Sequence, residues 1–266
     1  MSETNSFERM LAILGLFTEA RLEWTPEALM AELGYSRPTL YRYLKTLKDH
    51  GFLVGRPRSG FTLGPKLVEM DYLLRRSDPL VLEGREILRQ LTGRYPCAAF
   101  LARWYGEKVL CMHAEQSAAD LTSSYPRGRP MPIGRGAASH SILAFLPRRQ
   151  LMPLIESRIA DFRAVGFGWT PDEVLKRLGA FRRAGVAVAR AEVTPGVIGV
   201  GAPIFDGGTA PVGSLTVAIS EKRMDGSLLA RLKDDVRAAA AVVSELVMHH
   251  RADAEGEKVR SGGLSP

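Results

Sequence analysis

The sequence contains little of the chemistry on which several protein classes depend. Cysteine occurs only as Cys97 and Cys111 in 266 residues, which is not a disulfide framework or a zinc-site spacing. Both are interpreted as small buried hydrophobic residues of a reducing compartment. No apolar run reaches membrane-spanning length, and the first residues lack the basic and apolar regions of a signal peptide. The sequence therefore predicts a cytoplasmic protein with no membrane partner.

Recognisable catalytic and metal-binding motifs are also missing. The five histidines do not pair at metal-ligand spacing: His50, His113, His140, His249 and His250. Gly199-Val200-Gly201 is not followed by the Gly-Lys-Ser/Thr of a phosphate loop. We therefore expect no catalytic residue, no metal and no cofactor. The alternative is an enzyme with an accessory winged-helix domain, in which Glu192 or His140 would act as a base.

The charge that is present is distributed unevenly. The net charge is +7, yet residues 1–35 contain six acids and two cations. Residues 36–66 contain seven cations and one acid. An acidic scaffold beside a basic strip is the pattern expected of a protein that binds nucleic acid. A solvated basic surface is the alternative interpretation of this pattern.

The basic strip begins with a helix-turn-helix pattern. Thr25 and Pro26 predict the start of a helix that runs to about Leu33, and Gly34 breaks it. Ser36 is a favourable N-cap for the next helix, and Pro38 fits its first turn. Apolar residues then recur at helical spacing, which places the cations on the opposite face. The residues on the inward face are Leu40, Tyr43, Leu44 and Leu47.

The segment after this helix has the pattern of a β-hairpin wing. Two short apolar strands flank a Gly/Pro/Arg turn over residues 55–60. A helix-turn-helix followed by such a hairpin predicts a winged helix, in which arginine reads base edges and hydroxyls contact phosphates. The predicted DNA contacts are Ser36, Arg37, Pro38, Thr39, Tyr41, Arg42, Lys45, Arg56 and Arg58.

The remaining chain has an α+β pattern. A first helix is expected from a Ser6 cap, and a linker helix with a stripe of leucines is expected in residues 66–79. The predicted domains are a winged helix over 6–65 and a larger domain over 80–250 with a mostly antiparallel sheet. The last helix is expected to end near His249, and residues 251–266 are expected to be disordered.

Several motifs in this order resemble the IclR family of bacterial transcription regulators. They include Gly34-Tyr35-Ser36-Arg37-Pro38-Thr39 in the reading helix and Glu192-Val193-Thr194-Pro195-Gly196 near the end. The resemblance spans residues 6–250. It implies a winged helix-turn-helix, a linker helix and a GAF-like effector domain. It also implies a homodimer or homotetramer that binds double-stranded DNA operators and responds to a small-molecule effector, often an organic or aromatic acid.

The resemblance also implies the position of an effector pocket. The corresponding residues are Gly136, Ala137, Ala138, His140, Ala189, Glu192, Gly199, Thr216 and Ala218. Members of the family that bind small oxo-acids often carry an acid, a cysteine and a serine where this chain has Ala189, Gly199 and Ala218. We therefore expect a roomier and less polar pocket that accepts a larger or partly aromatic ligand. The absence of any effector is the alternative.

Overall fold

The computed structural model describes residues 5–57, 60–117 and 125–261, with side chains up to residue 252. The chain divides into two compact units between Ser77 and Asp78. The elements of the N-terminal unit are α1 (Ser6–Gly15), α2 (Pro26–Leu33), α3 (Arg37–Asp49), β1 (Leu53–Arg56), β2 (Gly60–Leu63) and α4 (Pro65–Ser77).

Helix α1 begins one residue earlier than the sequence indicated. The side-chain oxygen of Asn5 accepts hydrogen bonds from the amides of Phe7 and Glu8, and Glu8 accepts one from the Asn5 amide. This reciprocal pair is a capping box. The expectation that Ser6 caps the helix is wrong, because the Ser6 hydroxyl instead forms a 3.0 Å hydrogen bond with the Tyr43 hydroxyl.

Helices α2 and α3 form the predicted helix-turn-helix. Thr25 caps α2, and Gly34 ends it at φ 66°, a left-handed conformation that glycine adopts without steric cost. The apolar face of α3 is buried against α1 and α2. The buried cluster consists of Ile13, Trp24, Leu29, Leu40, Tyr43, Leu44, Leu47 and Leu53.

The hairpin of β1 and β2 is antiparallel, with Leu53 opposite Leu63 and Arg56 opposite Gly60. Phe61 exchanges two backbone hydrogen bonds with Trp24, so the segment before α2 lies beside the hairpin. A side chain at Gly60, where φ is 96°, would collide with the Trp24 carbonyl. This close approach fixes the position of the wing relative to the helices.

Helix α4 packs differently from the other helices of its unit. None of its residues is buried. Its large apolar side chains are instead exposed, among them Val68, Met70, Tyr72, Leu73 and Leu74.

The C-terminal unit is built on a six-stranded antiparallel sheet in the order β5-β4-β3-β8-β7-β6. Its strands are β3 (Ala98–Trp104), β4 (Val109–Gln116), β5 (Pro130–Met131), β6 (Ala187–Arg190), β7 (Val197–Ile204) and β8 (Gly213–Ser220). Its helices are α5 (Pro79–Arg94), α6 (Ala137–Leu143), α7 (Arg148–Ala164), α8 (Pro171–Ala184) and α9 (Gly226–Ser261).

The two faces of the sheet pack against different helices. Leu215, Val217 and Ile219 of β8 belong to a core that includes residues of α5 and α9. Phe100 and Ala102 of β3 belong to a second core that includes residues of α6, α7 and α8. The unit is therefore a three-layer α+β structure, which confirms the predicted fold class.

The structure adds two short elements to this unit and corrects the predicted end of its last helix. A short strand, β5, pairs with β4 at the edge of the sheet, and a 3-10 turn covers Glu221–Arg223. Helix α9 continues to Ser261, so residues 251–261 are helical where the sequence predicted a disordered tail. Alanine, glutamate, lysine and arginine dominate this segment, and all four favour helix.

Candidate functional site

The solvent face of α3 carries the predicted nucleic-acid contacts. Ser36, Arg37, Pro38, Tyr41, Arg42 and Lys45 are exposed, and Thr39 is half-buried. This arrangement follows from the burial of Leu40, Leu44 and Leu47 on the opposite side of the same helix. The cations are thus displayed on a helix that is anchored by its leucines.

Aromatic rings lie beside the two arginines of α3. The Arg37 guanidinium lies 5.5 Å from the centre of the Tyr41 ring, and that of Arg42 lies 5.5 Å from the Tyr43 ring. Ser36 occupies the N-cap position as predicted, but its hydroxyl forms no capping hydrogen bond and donates to the Thr39 hydroxyl at 3.0 Å. Both hydroxyls therefore lie near the start of α3.

The hairpin contributes a further exposed cation. Arg56 is the last residue of β1, and its guanidinium lies 3.7 Å from the Glu23 carboxylate. Arg58, the other predicted wing contact, lies outside the described residues.

A second site is a cavity between the sheet and α6. The space between its walls, together with the open solvent at its mouth, amounts to about 700 Å³. Eight of the nine residues predicted for the effector pocket line it: Gly136, Ala137, Ala138, Ala189, Glu192, Gly199, Thr216 and Ala218.

The cavity wall also contains residues that the sequence analysis missed. Most of these missed residues are apolar, and the polar ones include Tyr125 and Arg135. The missed residues are Ala98, Phe100, Tyr125, Met131, Pro132, Arg135, Ser139, Val193, Thr194 and Val197. Alternation along β3 could have indicated Ala98 and Phe100, since side chains of a strand point to opposite faces in turn.

Hydrogen-bonding groups inside the cavity are few. The Thr216 hydroxyl is buried and has no hydrogen-bond partner among the described residues. The Ser139 hydroxyl donates to the Pro132 carbonyl at 2.7 Å. Thr216 is therefore a polar group available to a ligand inside a mostly apolar wall.

The Glu192 side chain, from the loop after β6, lies beside the start of α6 within this wall. The Gly136 amide donates to its carboxylate at 2.8 Å, so the amide of this predicted pocket residue already has a partner. Burial raises the pKa of Glu192, whereas the Gly136 hydrogen bond and Arg177 lower it. Glu192, predicted as an effector contact, is therefore a partly buried acid whose carboxylate is paired with the Gly136 amide.

His140 does not line the cavity, which corrects its prediction as an effector contact. The ring is fully buried, and its centre lies 3.9 Å from that of Phe167 and about 6 Å from those of Phe162 and Phe181. Helical geometry turns this side chain away from the cavity and into the aromatic core. Burial lowers the pKa of His140 to about 4, so the ring is neutral at pH 7.

Neither cysteine forms a disulfide, and both are buried as expected. Burial raises the pKa of Cys97 to about 12 and that of Cys111 to about 11. Within the described part of the chain, no cluster of three or more His, Cys, Asp or Glu could hold a metal ion. None of the described helices is both long and apolar enough to span a bilayer.

The family models agree with this division into a helix-turn-helix unit and a cavity-bearing unit. The model described as "IclR helix-turn-helix domain" matches residues 6–57. The model described as "Bacterial transcriptional regulator IclR C-terminal" matches residues 78–245, which is more than half of the chain. The chain belongs to the IclR family of bacterial transcriptional regulators.

Individual relatives extend this result over most of the chain. The transcriptional regulator XynR of Escherichia coli K12 is 27% identical over 243 residues, 90% of this chain and 95% of XynR. A putative IclR regulator from Silicibacter sp. TM1040 has the same fold, with a TM-score of 0.81 at 21% identity over 92% of this chain and 96% of that one.

A further solved structure is an IclR homolog from Microbacterium hydrocarbonoxydans in complex with 4-hydroxybenzoate. Its TM-score is 0.74 at 16% identity, over 91% of this chain and 99% of that one. By its family, this chain is a transcriptional regulator with an N-terminal helix-turn-helix domain and the C-terminal domain of IclR regulators.

The buried state of His140 makes a direct prediction. In the folded protein, histidine side-chain NMR signals assigned to His140 by comparison with His140→Gln should show a neutral ring down to about pH 5, because burial disfavours the imidazolium. In urea the same ring should titrate near its ordinary value of about 6.5. A midpoint above pH 6 in the folded protein would contradict the burial argument.

Proposed function

We propose that the chain binds double-stranded DNA by laying α3 in the major groove. The observation that carries this proposal is the exposed cationic face of a helix whose other face is buried. An arginine guanidinium can donate two hydrogen bonds to the O6 and N7 atoms of guanine in the major groove. Arg37 and Arg42 are therefore assigned to base edges. The other proposed contacts, mostly to phosphates, are Ser36, Pro38, Thr39, Tyr41, Lys45, Arg56 and Arg58.

The proposed effector is a small organic acid with an aromatic ring. Small side chains at Ala189, Gly199 and Ala218 leave room in the cavity, and its wall is mostly apolar. The relative from M. hydrocarbonoxydans binds 4-hydroxybenzoate, which has the size and character that such a wall suits. The proposed contacts are the lining residues of the cavity, with Thr216 as a hydrogen-bonding partner.

The proposed assembly is a homodimer, or a tetramer made of two dimers. Two copies of α3 can read two half-sites about one turn of DNA apart, as other helix-turn-helix dimers do. The exposed apolar side chains of α4 support pairing of this helix with a second copy. An isolated monomer would leave Val68, Leu73 and Leu74 in water.

In the proposed mechanism, effector binding in the C-terminal domain is coupled to DNA binding by the winged helix. An effector changes DNA binding only if it binds the DNA-competent and the incompetent states with unequal affinity. Helix α4 is the covalent connection between the winged helix, residues 6–65, and the effector domain, residues 80–250.

We place this regulator in the cytoplasm, where its operator is, and we assign it no enzymatic reaction. In the structure His140 lies outside the cavity, which argues against its use as a catalytic base.

Replacement of Arg42 by alanine tests the DNA-binding proposal. Arg42→Ala should weaken binding to a DNA fragment from beside its own gene by about 1–3 kcal/mol, while non-specific binding changes much less. Fluorescence anisotropy at several salt concentrations measures both, since phosphate contacts give a steep salt dependence. The matched control is Arg149→Ala on α7, which removes the same charge from an exposed site. An equal loss on all sequences would contradict base reading by Arg42.

Calorimetry tests the effector proposal. The protein should bind 4-hydroxybenzoate at one site per chain, and Ala218→Leu should weaken binding by at least about tenfold because the added carbons occupy the cavity. Ala238→Leu on the exposed face of α9 is the control. Tight binding of glyoxylate or pyruvate instead would contradict a pocket built for an aromatic acid.

A charge on α4 tests the assembly. Leu73 is 61% exposed, so Leu73→Glu should leave the fold intact while burying a carboxylate in the dimer contact. Sedimentation analysis should then show a smaller species, and specific DNA binding should fall. Ser157→Glu adds the same charge to an exposed site on α7. An unchanged mass for Leu73→Glu would refute pairing through α4.

A further inference from the structure

Glu192 is held in a fixed position beside the cavity. It follows Ala191, whose φ of 53° is a left-handed conformation that costs an alanine roughly 1 kcal/mol or more. The Ala191 amide donates to the Val197 carbonyl at 2.9 Å, which holds this loop against β7. The Glu192 side chain is only 12% exposed, and its carboxylate accepts the Gly136 amide at 2.8 Å. A strained backbone thus holds an acid in the cavity wall.

The partner of this acid on the far side is His140. Its Nδ1 lies 3.6 Å from Oε2 of Glu192. The other ring nitrogen, Nε2, lies 3.3 Å from the carbonyl oxygen of Gly134. A carbonyl can only accept, so Nε2 carries the hydrogen of the neutral ring. Nδ1 is then left with a lone pair, and it has no hydrogen-bond partner among the described residues.

The lone pair of Nδ1 therefore faces a carboxylate oxygen. Two acceptors that face each other in a buried site repel, and a buried acceptor without a donor costs free energy. One proton on Oε2 would remove both penalties, because the resulting hydroxyl could donate to Nδ1. The geometry thus provides a place for one additional proton between Glu192 and His140.

The charges around this pair are few. Arg177 of α8 contributes a positive field and lowers the pKa of both groups, although burial is the larger influence on each. Arg135 is exposed at the cavity wall, and Arg190 of β6 lies 3.8 Å from Glu221. Arg129 lies beside Tyr125, whose phenol also lines the cavity. The pair's own elements, α6 and the loop after β6, contribute no further charge to the cavity wall.

We propose that binding of an anionic ligand in this cavity is coupled to the uptake of one proton by Glu192, which then donates a hydrogen bond to Nδ1 of His140. The proton comes from solvent and adds to Oε2, so no covalent bond to carbon changes and the net charge of the site is preserved when the anion enters. This inference rests on the proposed effector function. It assigns to Glu192 control over the charge of the ligand that the cavity accepts.

The physical reason is the repulsion between two anions in a mostly apolar wall. A ligand carboxylate inside the cavity disfavours the charged form of Glu192, and protonation relieves that repulsion. A neutral ligand of the same shape would bring no such repulsion, so its binding would not require a proton. Anion affinity therefore rises as pH falls, which is the sign expected when the bound state holds more protons than the free state.

Calorimetry with 4-hydroxybenzoate tests the coupling in the full chain. This ligand is a monoanion from about pH 6 to about pH 8, so its own titration does not interfere. Titrations at pH 7 in two buffers of different ionisation enthalpy should show uptake of about one proton per ligand. The dissociation constant should fall by up to about tenfold for each unit of pH between 8 and 6. 4-Hydroxybenzyl alcohol, a neutral analogue, should bind without proton uptake.

Glu192→Gln separates a proton from a merely structural contact. The glutamine oxygen can still accept the Gly136 amide, and its NH2 group can donate to Nδ1 of His140, as the protonated acid would. The variant should therefore bind 4-hydroxybenzoate at pH 8 more tightly than the unmodified protein, with no proton uptake and no dependence on pH. Glu115→Gln is the matched control, since Glu115 also lies beside a histidine, 2.9 Å from His113, but outside the cavity.

Each outcome decides between the alternatives. Binding of 4-hydroxybenzoate to the unmodified protein without proton uptake would overturn this inference and leave the proposed effector intact. Proton uptake that persists in Glu192→Gln would assign the proton to another group and overturn it as well. Failure of 4-hydroxybenzoate to bind at either pH would overturn both the proposed effector class and the coupling. Loss of 4-hydroxybenzoate binding in Glu192→Gln with an unchanged circular dichroism spectrum would also overturn the proposed proton coupling.

Discussion

The register of the antiparallel sheet controls both the core and the cavity of the C-terminal unit. Along β8, Leu215, Val217 and Ile219 belong to the core that includes residues of α5 and α9, while Thr216 and Ala218 between them line the cavity. Side chains alternate with a period of two, so a slip of one residue would exchange the two sets. The large residues would then fill the cavity, and the core beneath α9 would lose its packing. Stability and ligand binding are thus two consequences of one alternation.

Helix α3 also separates two roles onto two faces, with the 3.6-residue period of a helix in place of the two-residue period of a strand. Leu40, Leu44 and Leu47 are buried against the neighbouring helices, and this burial turns Arg37 and Arg42 towards solvent. The cations therefore need no stabilising role of their own within the fold. Their side chains rest near tyrosine rings, a contact weak enough to yield to a phosphate or a base edge. Packing and recognition are separated onto the two faces of one helix.

The sequence was informative where a pattern is local and failed where a partner is distant. Periodicity was enough for the helix-turn-helix, but no local pattern indicated the two-residue strand β5. Asn5 and Ser6 are both good caps, and the choice depends on the Tyr43 hydroxyl, 37 residues further on. The burial of His140 depends on phenylalanines of α7, α8 and the segment between them, which no local pattern around His140 indicates.

A glutamate in the wall of a cavity proposed to bind an organic acid weakens the binding of that acid unless the charge of the glutamate can change. The Glu192 carboxylate accepts a hydrogen bond from the Gly136 amide, so this amide of the cavity wall is paired. Burial and the facing lone pair of His140 already disfavour the negative charge of Glu192, and an anionic ligand would add a further repulsion that a proton offsets. A ligand regulates DNA binding through the difference in its affinity for two states, not through its total affinity. A wall that weakens anion binding at neutral pH is therefore compatible with strong regulation, provided that the two states differ in how they place Glu192.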